Sequence, residues 1–122
     1  MTTTLDISTD GDKLKFDSNQ LVVIAGDEVV LRFDNVSTVN QHNWVLVKAG
    51  TKDEVAAAGV AAGPDNDWIP LEDERVIAHT RLIEPGQTGE VRFTAPGFGT
   101  YQFVCTFPGH NAAGMFGEFV VN

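Results

Sequence analysis

The sequence predicts an all-β protein, a Greek-key β-sandwich with a short helical flap near residues 51–74. Two observations lead to this fold class. Short runs in which apolar and polar residues alternate recur along the 122 residues, and turns rich in glycine and proline separate them. A single stretch replaces this pattern with a helical one. Such a chain is typical of two packed sheets, and its length suits one domain spanning residues 1–122.

The first strands follow from the spacing of apolar residues. Residues 3–34 form short runs separated by turn signals at Asp10-Gly11 and Gly26-Asp27. Apolar residues alternate with polar ones from Glu28 to Asp34, which predicts a strand with one face in water. The run Asn43–Lys48 is apolar on both faces. We therefore expect it to lie centrally in its sheet.

The later strands obey the same rule. Residues 90–94 alternate between polar and apolar, and residues 117–121 form the last strand. Within the strand predicted over 100–105, Phe103 and Cys105 share a face with Tyr101. The Cys105 sulfur is therefore expected on the apolar, inward side.

The flap begins with a helical signal. Thr51-Lys52-Asp53-Glu54 matches a capping box, and an alanine-rich run follows it up to Gly63-Pro64, which predicts a helix near 52–62. Acidic residues are concentrated in this excursion, at Asp53, Glu54, Asp65, Asp67, Glu72, Asp73 and Glu74. Two interpretations stay open: a solvated flap that keeps the protein soluble, or a docking surface for a basic partner.

The charge balance limits the classes of function. Eight basic and seventeen acidic residues give a net charge of −9, which argues against nucleic acid as a partner. No apolar run approaches the ~18 residues needed to span a bilayer, and the start shows no signal-peptide pattern. A membrane tether or export signal that preceded Met1 would leave no trace in this chain.

Three residues whose side chains can bind soft metals lie close together near the end of the chain. Cys105, the single cysteine, His110 and Met115 recur at intervals of five residues. A thiolate, an imidazole and a thioether suit copper. Residues five apart on a straight strand face opposite sides, so the chain must turn back after Cys105, and Pro108-Gly109 is a turn signal. The pattern indicates a mononuclear copper site.

A fourth donor must come from elsewhere in the chain. His42 begins the most hydrophobic strand, whereas His79 lies among charged residues beside the flap and is expected to be exposed or structural. With His42, the set becomes two imidazoles, one thiolate and a weak axial thioether, the donors of a blue-copper electron-transfer site. Cys105 would bind as the thiolate, so the metal must displace its proton.

Two segments resemble the cupredoxin family, specifically its azurin–auracyanin branch. They are Cys-Thr-Phe-Pro-Gly-His followed by Met within 105–115, and His-Asn-Trp-Val-Leu at 42–46. Val-Ile-Ala-His-Thr at 76–80 is also azurin-like, so the resemblance covers most of residues 20–122. Four residues between His110 and Met115 are similar to auracyanins, since the azurin interval is shorter by one. The single cysteine also cannot form the disulfide usual near the start of azurins.

The resemblance assigns roles to individual residues. His42, Cys105, His110 and Met115 match the ligands of one type 1 copper ion. Gln41 occupies the place from which azurins offer a distant backbone carbonyl to the metal. The fold implied is that of a cupredoxin domain.

Other residues are expected to support these ligands. Asn43 matches a residue that ties the two ligand loops together by hydrogen bonds, although a polar residue ending a loop is an equal reading. Thr106 and Phe107 are expected to donate backbone hydrogen bonds toward the sulfur, which would raise the potential. Small or apolar residues around His110 are expected to form a flat patch for transient docking of a redox partner: Pro108, Gly109, Ala112 and Ala113.

The predicted function is electron transport by a monomeric carrier that is not an enzyme. Its expected partners are a membrane electron-transfer complex, a cytochrome or a reaction centre in a bacterial photosynthetic or respiratory chain. The expected location is the periplasm or the outer face of the cytoplasmic membrane.

Other classes explain the pattern less well. A copper storage or delivery protein is the alternative, but four donors on a rigid sandwich would release metal slowly. A copper oxidase would need a second histidine-rich centre, and only His79 remains for it. The five-residue interval does not imply a Cys–His nucleophile. Methionine is a poor zinc ligand.

Overall fold

The computed structural model describes residues 1–122 and contains eight strands and two short α-helices. The strands are β1 (Thr2–Ser8), β2 (Gln20–Val23), β3 (Glu28–Asp34), β4 (Val45–Val47), β5 (Val76–His79), β6 (Thr88–Thr94), β7 (Gly99–Val104) and β8 (Phe116–Val121), and the helices are α1 (Lys52–Ala62) and α2 (His110–Ala113). A 3-10 turn spans Pro64–Asn66. No helix is both long enough and apolar enough to cross a lipid bilayer.

The strands form two sheets, as the all-β prediction requires. One sheet has the order β1-β3-β6 and the other the order β2-β8-β7-β4-β5. The pairs β1–β3 and β2–β8 are parallel, and the remaining neighbours are antiparallel. Chain neighbours therefore often lie in different sheets, and the chain crosses between the sheets several times. The predicted β-sandwich is confirmed.

The core lies between the sheets and is centred on an aromatic cluster. In β3, residues at alternate positions are buried, as the sequence pattern predicted. Trp44 has no exposed surface and stacks on Phe103 at 5.8 Å and on Phe93 at 6.1 Å between ring centroids. Phe119 meets the Trp44 ring edge-on at 6.1 Å. Truncating a ring at such a position typically costs about 3–5 kcal/mol.

Strand β4 is buried on both faces because it lies inside its sheet and beneath the flap. Leu46 packs into the main core, whereas Val45 and Val47 pack against Val55 of α1 and Ile69. The predicted central position is confirmed. The strand is shorter than the predicted 43–48. Just before it, His42 pairs with Ile83 in an isolated β-bridge.

Helix α1 covers the range that the sequence predicted, but the predicted capping box does not form. Thr51 makes no side-chain cap, and its hydroxyl instead donates to the Lys48 carbonyl at 2.6 Å. The Thr51 side chain therefore closes the turn before the helix. The cap prediction was wrong because a hydroxyl that can reach a backbone acceptor in the preceding turn competes with capping.

Candidate metal centre

Three buried donor atoms converge at one end of the sandwich. The Nδ1 atoms of His42 and His110 lie 3.1 Å apart. The Cys105 Sγ lies 3.4 Å from the His110 Nδ1 and 3.8 Å from the His42 Nδ1. All three residues are buried, and together they could hold a metal ion. The structure thus brings together three of the four residues predicted as ligands, from two distant parts of the chain.

The backbone of His42 is fixed from both sides. Its N–H donates to the Ile83 carbonyl at 3.1 Å, and the Ile83 N–H donates back to the His42 carbonyl at 2.7 Å. The loop that precedes it is closed by Asn35, whose buried amide donates to the carbonyls of Asn40 and Ile83. The imidazole is therefore held where β4 enters the core.

The segment 105–115 turns back on itself to present the other donors. β7 delivers Cys105 to the inward face, and two glycines with left-handed backbone, Gly109 (φ 84°) and Gly114 (φ 108°), bracket α2. The Met115 N–H donates to the His110 carbonyl at 3.0 Å, and the Cys105 N–H donates to the Met115 carbonyl at 3.1 Å. The turn predicted at Pro108-Gly109 is present.

Met115 is fully buried in the same hydrophobic cluster as Cys105. Its backbone is hydrogen-bonded to both Cys105 and His110. The thioether is thus kept from water, beside the residues that bear the thiol and one imidazole.

Asn43 and Thr106 join the two donor-bearing loops. The Asn43 amide donates to the Thr106 hydroxyl at 2.8 Å, and the Thr106 N–H donates to the Asn43 Oδ1 at 2.8 Å. Both residues are buried. These paired bonds hold the chain after His42 against the chain after Cys105.

The flap contributes two acceptors to the same network. The Asn43 amide also donates to the Asp67 carbonyl at 3.0 Å, and the Thr106 hydroxyl donates to the Trp68 carbonyl at 2.6 Å. Asp67 and Trp68 both have positive φ angles, 57° and 60°. This contact could not be predicted from the sequence because every residue has a backbone carbonyl, so residue identity does not indicate which carbonyls accept.

Burial dominates the electrostatics of the sulfur. It raises the pKa of the Cys105 thiol to about 12, and the backbone N–H groups of Asn43 and Phe107 oppose that rise. The Thr106 N–H, expected from the sequence to face the sulfur, donates to Asn43 instead. The reason is the approach of the Asn43 side chain, which a local pattern does not reveal.

Burial also keeps both imidazoles neutral. It lowers the pKa of His42 and of His110 to about 4, and proximity to His110 adds to the effect on His42. Neutral imidazoles are the form that binds metals. The His42 Nε2 is buried without a hydrogen-bond partner.

The donor set fits a copper ion. Separations of 3.1 to 3.8 Å between the three atoms are those expected when each donor lies about 2.0–2.3 Å from one central ion. The chemistry of one thiol, two imidazoles and a nearby buried thioether matches the preference of copper.

The small residues predicted to surround His110 differ from it in exposure. Gly109, Ala112 and Ala113 are exposed and Pro108 is half-buried, whereas His110 is only 4% exposed. The Phe107 ring lies against the His110 imidazole, 4.5 Å between centroids, and meets Trp68 edge-on at 5.8 Å.

Two other predicted positions lie outside the cluster. His79 is exposed on β5, as expected, with its Nδ1 2.8 Å from the Thr80 carbonyl. The Gln41 side chain donates to Glu84 at 2.5 Å. The approach of the Gln41 carbonyl to the metal stays a prediction.

A two-sheet β-sandwich that closes a thiol, two imidazoles and a buried thioether at one end defines a blue-copper protein. Residues 3–122 match the copper-binding proteins of the plastocyanin/azurin family. The chain belongs to this family of copper-binding cupredoxins, and copper is its metal. Cupredoxins are electron-transfer proteins.

Individual relatives support the same assignment. The chain is 45% identical over 121 residues to auracyanin-A of Chloroflexus aurantiacus, covering 98% of this chain and 74% of that protein. It is 39% identical over 123 residues to auracyanin-B of the same organism, covering 97% of this chain and 52% of that protein. The dithionite-reduced auracyanin of Roseiflexus castenholzii superposes with a TM-score of 0.95 at 39% identity, over 98% of this chain and 97% of that one.

Proposed function

We propose that the chain is a single-domain, one-electron carrier in which His42, Cys105, His110 and Met115 hold one copper ion. The observation that carries the proposal is the convergence of three buried donor atoms within 4.8 Å of one another. Copper bound by such donors exchanges one electron between Cu(I) and Cu(II). One continuous core cluster draws residues from both sheets, which supports a single domain.

The role of the protein residues is to keep the donors still. The paired bonds between Asn43 and Thr106 and the closed segment 105–115 restrict movement of the ligands. Little movement between oxidation states means a low barrier to electron transfer. The N–H groups of Asn43 and Phe107 stabilise negative charge on the Cys105 sulfur, which favours the reduced state.

His110 is the proposed exit for the electron, because it lies beneath the small residues around α2. A flat patch of this kind suits brief docking with a redox protein. The proposed partners are a membrane electron-transfer complex, a cytochrome or a reaction centre, met by a monomer in the periplasm or at the outer face of the cytoplasmic membrane. Two auracyanins similar to this chain come from photosynthetic bacteria, which supports a photosynthetic chain over a respiratory one.

The test is the visible spectrum of the copper-loaded protein. The oxidised form should be intensely coloured and should bleach reversibly on reduction, because a Cu(II)–thiolate bond absorbs strongly. Cys105→Ser and His42→Gln should each lose the colour, whereas His79→Gln, the matched control at an exposed histidine, should keep it.

Two results would contradict the proposal. A wild-type protein that binds copper without colour would exclude the thiolate from the site. A coloured protein that exchanges copper readily with a chelator, yet transfers no electron to an oxidised cytochrome, would favour storage or delivery.

A further inference from the structure

Lys52 is an unusual first residue for a helix. It opens α1, where the macrodipole favours negative charge and disfavours a cation. Its side chain is nevertheless only 17% exposed. Other contacts must therefore stabilise the ammonium group at this position.

The stabilising contacts are hydrogen bonds among three side chains: Lys52 and Asp53 of α1, and Asn111, which follows His110. The Lys52 Nζ donates to the Asp53 Oδ1 at 2.8 Å and to the Asn111 Oδ1 at 3.0 Å, and the Asn111 amide donates to the same Asp53 oxygen at 2.8 Å. The Lys52 Nζ also lies 3.8 Å from the centre of the Phe116 ring, in cation–π geometry.

The positions of these partners in the chain give the contact its meaning. Asn111 directly follows His110, and Phe116 directly follows Met115. Lys52 thus contacts the chain at both ends of the segment 110–115. Its own N–H lies 3.4 Å from the Gln102 side chain of β7, in hydrogen-bonding geometry, which links it to the sheet.

We infer that Lys52 is a positioning residue that fastens the segment 110–115 to the start of α1, and thereby holds His110 and Met115 in place. The effect of Lys52 on the segment 110–115 is independent of the proposed copper site, whereas its effect on metal binding rests on that proposed site.

The other restraints on this loop explain why such a contact is needed. Asn43 and Thr106 secure the end of the loop near Cys105. The Cys105 N–H donates to the Met115 carbonyl and so holds the far end of the segment, and inside the segment Gly114 N–H donates to the Asn111 carbonyl at 3.0 Å. The Asn111 side chain bonds to Lys52 and Asp53, so these two residues of α1 tie the His110 end of the segment to another element.

The first experiment uses the metal-free protein, so its result does not depend on copper. Amide hydrogen exchange of Gly114 and Met115 should become about three- to tenfold faster in Lys52→Met, because the hydrogen bond that the ammonium donates to Asn111 and its contact with the Phe116 ring are both lost. Asn111→Ala should act similarly, and Lys52→Arg should restore part of the protection. Lys48→Met is the matched control, since Lys48 is exposed and its side chain forms no ion pair.

Exchange of the Leu31 amide in β3 serves as the reference for global opening. Faster exchange confined to the segment 110–115 supports the inference. Unchanged exchange, or acceleration that is equal at Leu31, overturns it and leaves Lys52 as a residue that merely packs α1 against the sheet.

The second experiment measures copper release from the reduced protein to a Cu(I) chelator. Release from Lys52→Met should be about three- to tenfold faster than from wild type, with Lys48→Met unchanged. If wild type and Lys52→Met release copper at equal rates, although amide exchange in the segment 110–115 is faster in the variant, Lys52 does not hold the ligands. The result would still support the contact between Lys52 and the segment. A wild-type protein that binds no copper would refute the proposed function, and the amide result would still stand.

Discussion

Burial determines the protonation states of the Cys105 thiol and of the His42 and His110 imidazoles. Without metal, Cys105 stays protonated because burial raises its pKa to about 12, and His42 and His110 stay neutral because burial lowers theirs to about 4. The site therefore carries no charge before metal binds. Binding of copper then requires the loss of the thiol proton, and the copper–sulfur bond must offset the free energy that this deprotonation costs.

Met115 allows a test of the predicted fourth ligand. Met115→Leu should keep the strong visible band, since the thiolate and imidazoles remain, and should raise the reduction potential, because removing a weak donor disfavours Cu(II). Protein-film voltammetry would measure the shift. An unchanged potential would remove Met115 from the coordination of copper.

At the element scale, the flap does more than carry charge. Its carbonyls at Asp67 and Trp68 accept hydrogen bonds from Asn43 and Thr106, and α1 buries the outer face of β4. Changes in the packing of α1 should therefore reach the metal centre.

Gly59 of α1 is the position where this coupling can be tested. A Cβ at Gly59 would overlap the Trp68 carbonyl oxygen and lie 3.1 Å from the Thr106 Cβ. Gly59→Ala should lower the free energy of unfolding by about 1–3 kcal/mol through overpacking. It should also alter the spectrum of the bound copper.

The control for this substitution is Gly97→Ala. A Cβ at Gly97 would meet nothing within 4 Å, so its effect should stay within about 0.5 kcal/mol. Chemical denaturation of both variants makes the comparison. Equal stabilities of the two variants would show that the chain around Trp68 and Thr106 accommodates a methyl group at Gly59 without loss of stability.

The acidic flap can be tested as a docking surface. Asp65→Asn with Asp67→Asn removes two charges beside Trp68, whose ring contacts Phe107. We expect the reaction with a cationic redox protein to slow about two- to tenfold at low salt, and the difference to disappear at high salt.

The matched control removes two charges elsewhere. Asp6→Asn with Glu118→Gln changes the net charge equally on exposed strand residues. Stopped-flow rates as a function of ionic strength make the comparison. If both pairs slow the reaction alike, only net charge matters and the flap is a solvated surface.

At the scale of the whole molecule, folding itself depends on the protonation of the site. The unfolded chain binds protons at its histidines near pH 6.5, whereas folded His42 and His110 do so only near pH 4. Because the unfolded state binds more protons between these values, acid must destabilise the fold.

The metal-free protein should therefore lose stability as the pH falls from about 6.5 to about 4, by roughly 3 kcal/mol for each imidazole. Urea unfolding at several pH values would measure the slope. His42→Gln should flatten the curve, and His79→Gln, at an exposed histidine, should not. A wild-type curve that is flat over this range would contradict the burial argument.

Much of the local structure could be predicted because it depends on local patterns. The alternation in β3, the range of α1, and the return of the chain after Cys105 follow from residue order and turn chemistry. The capping box was wrong because the Thr51 hydroxyl found a nearer acceptor. The prediction that the Thr106 N–H donates to the Cys105 sulfur was wrong because the Asn43 side chain accepts that hydrogen bond.

Residue identity and order specify which donors are available: one thiol, a small set of imidazoles and a thioether in a closed turn. The contacts of His42 with Cys105 across 63 residues, and of Lys52 with Asn111 across 59, arise only when the chain folds. Such contacts depend on which strands pair and how the sheets stack. A local pattern specifies which side chains face inward, but not which distant residue each of them will meet.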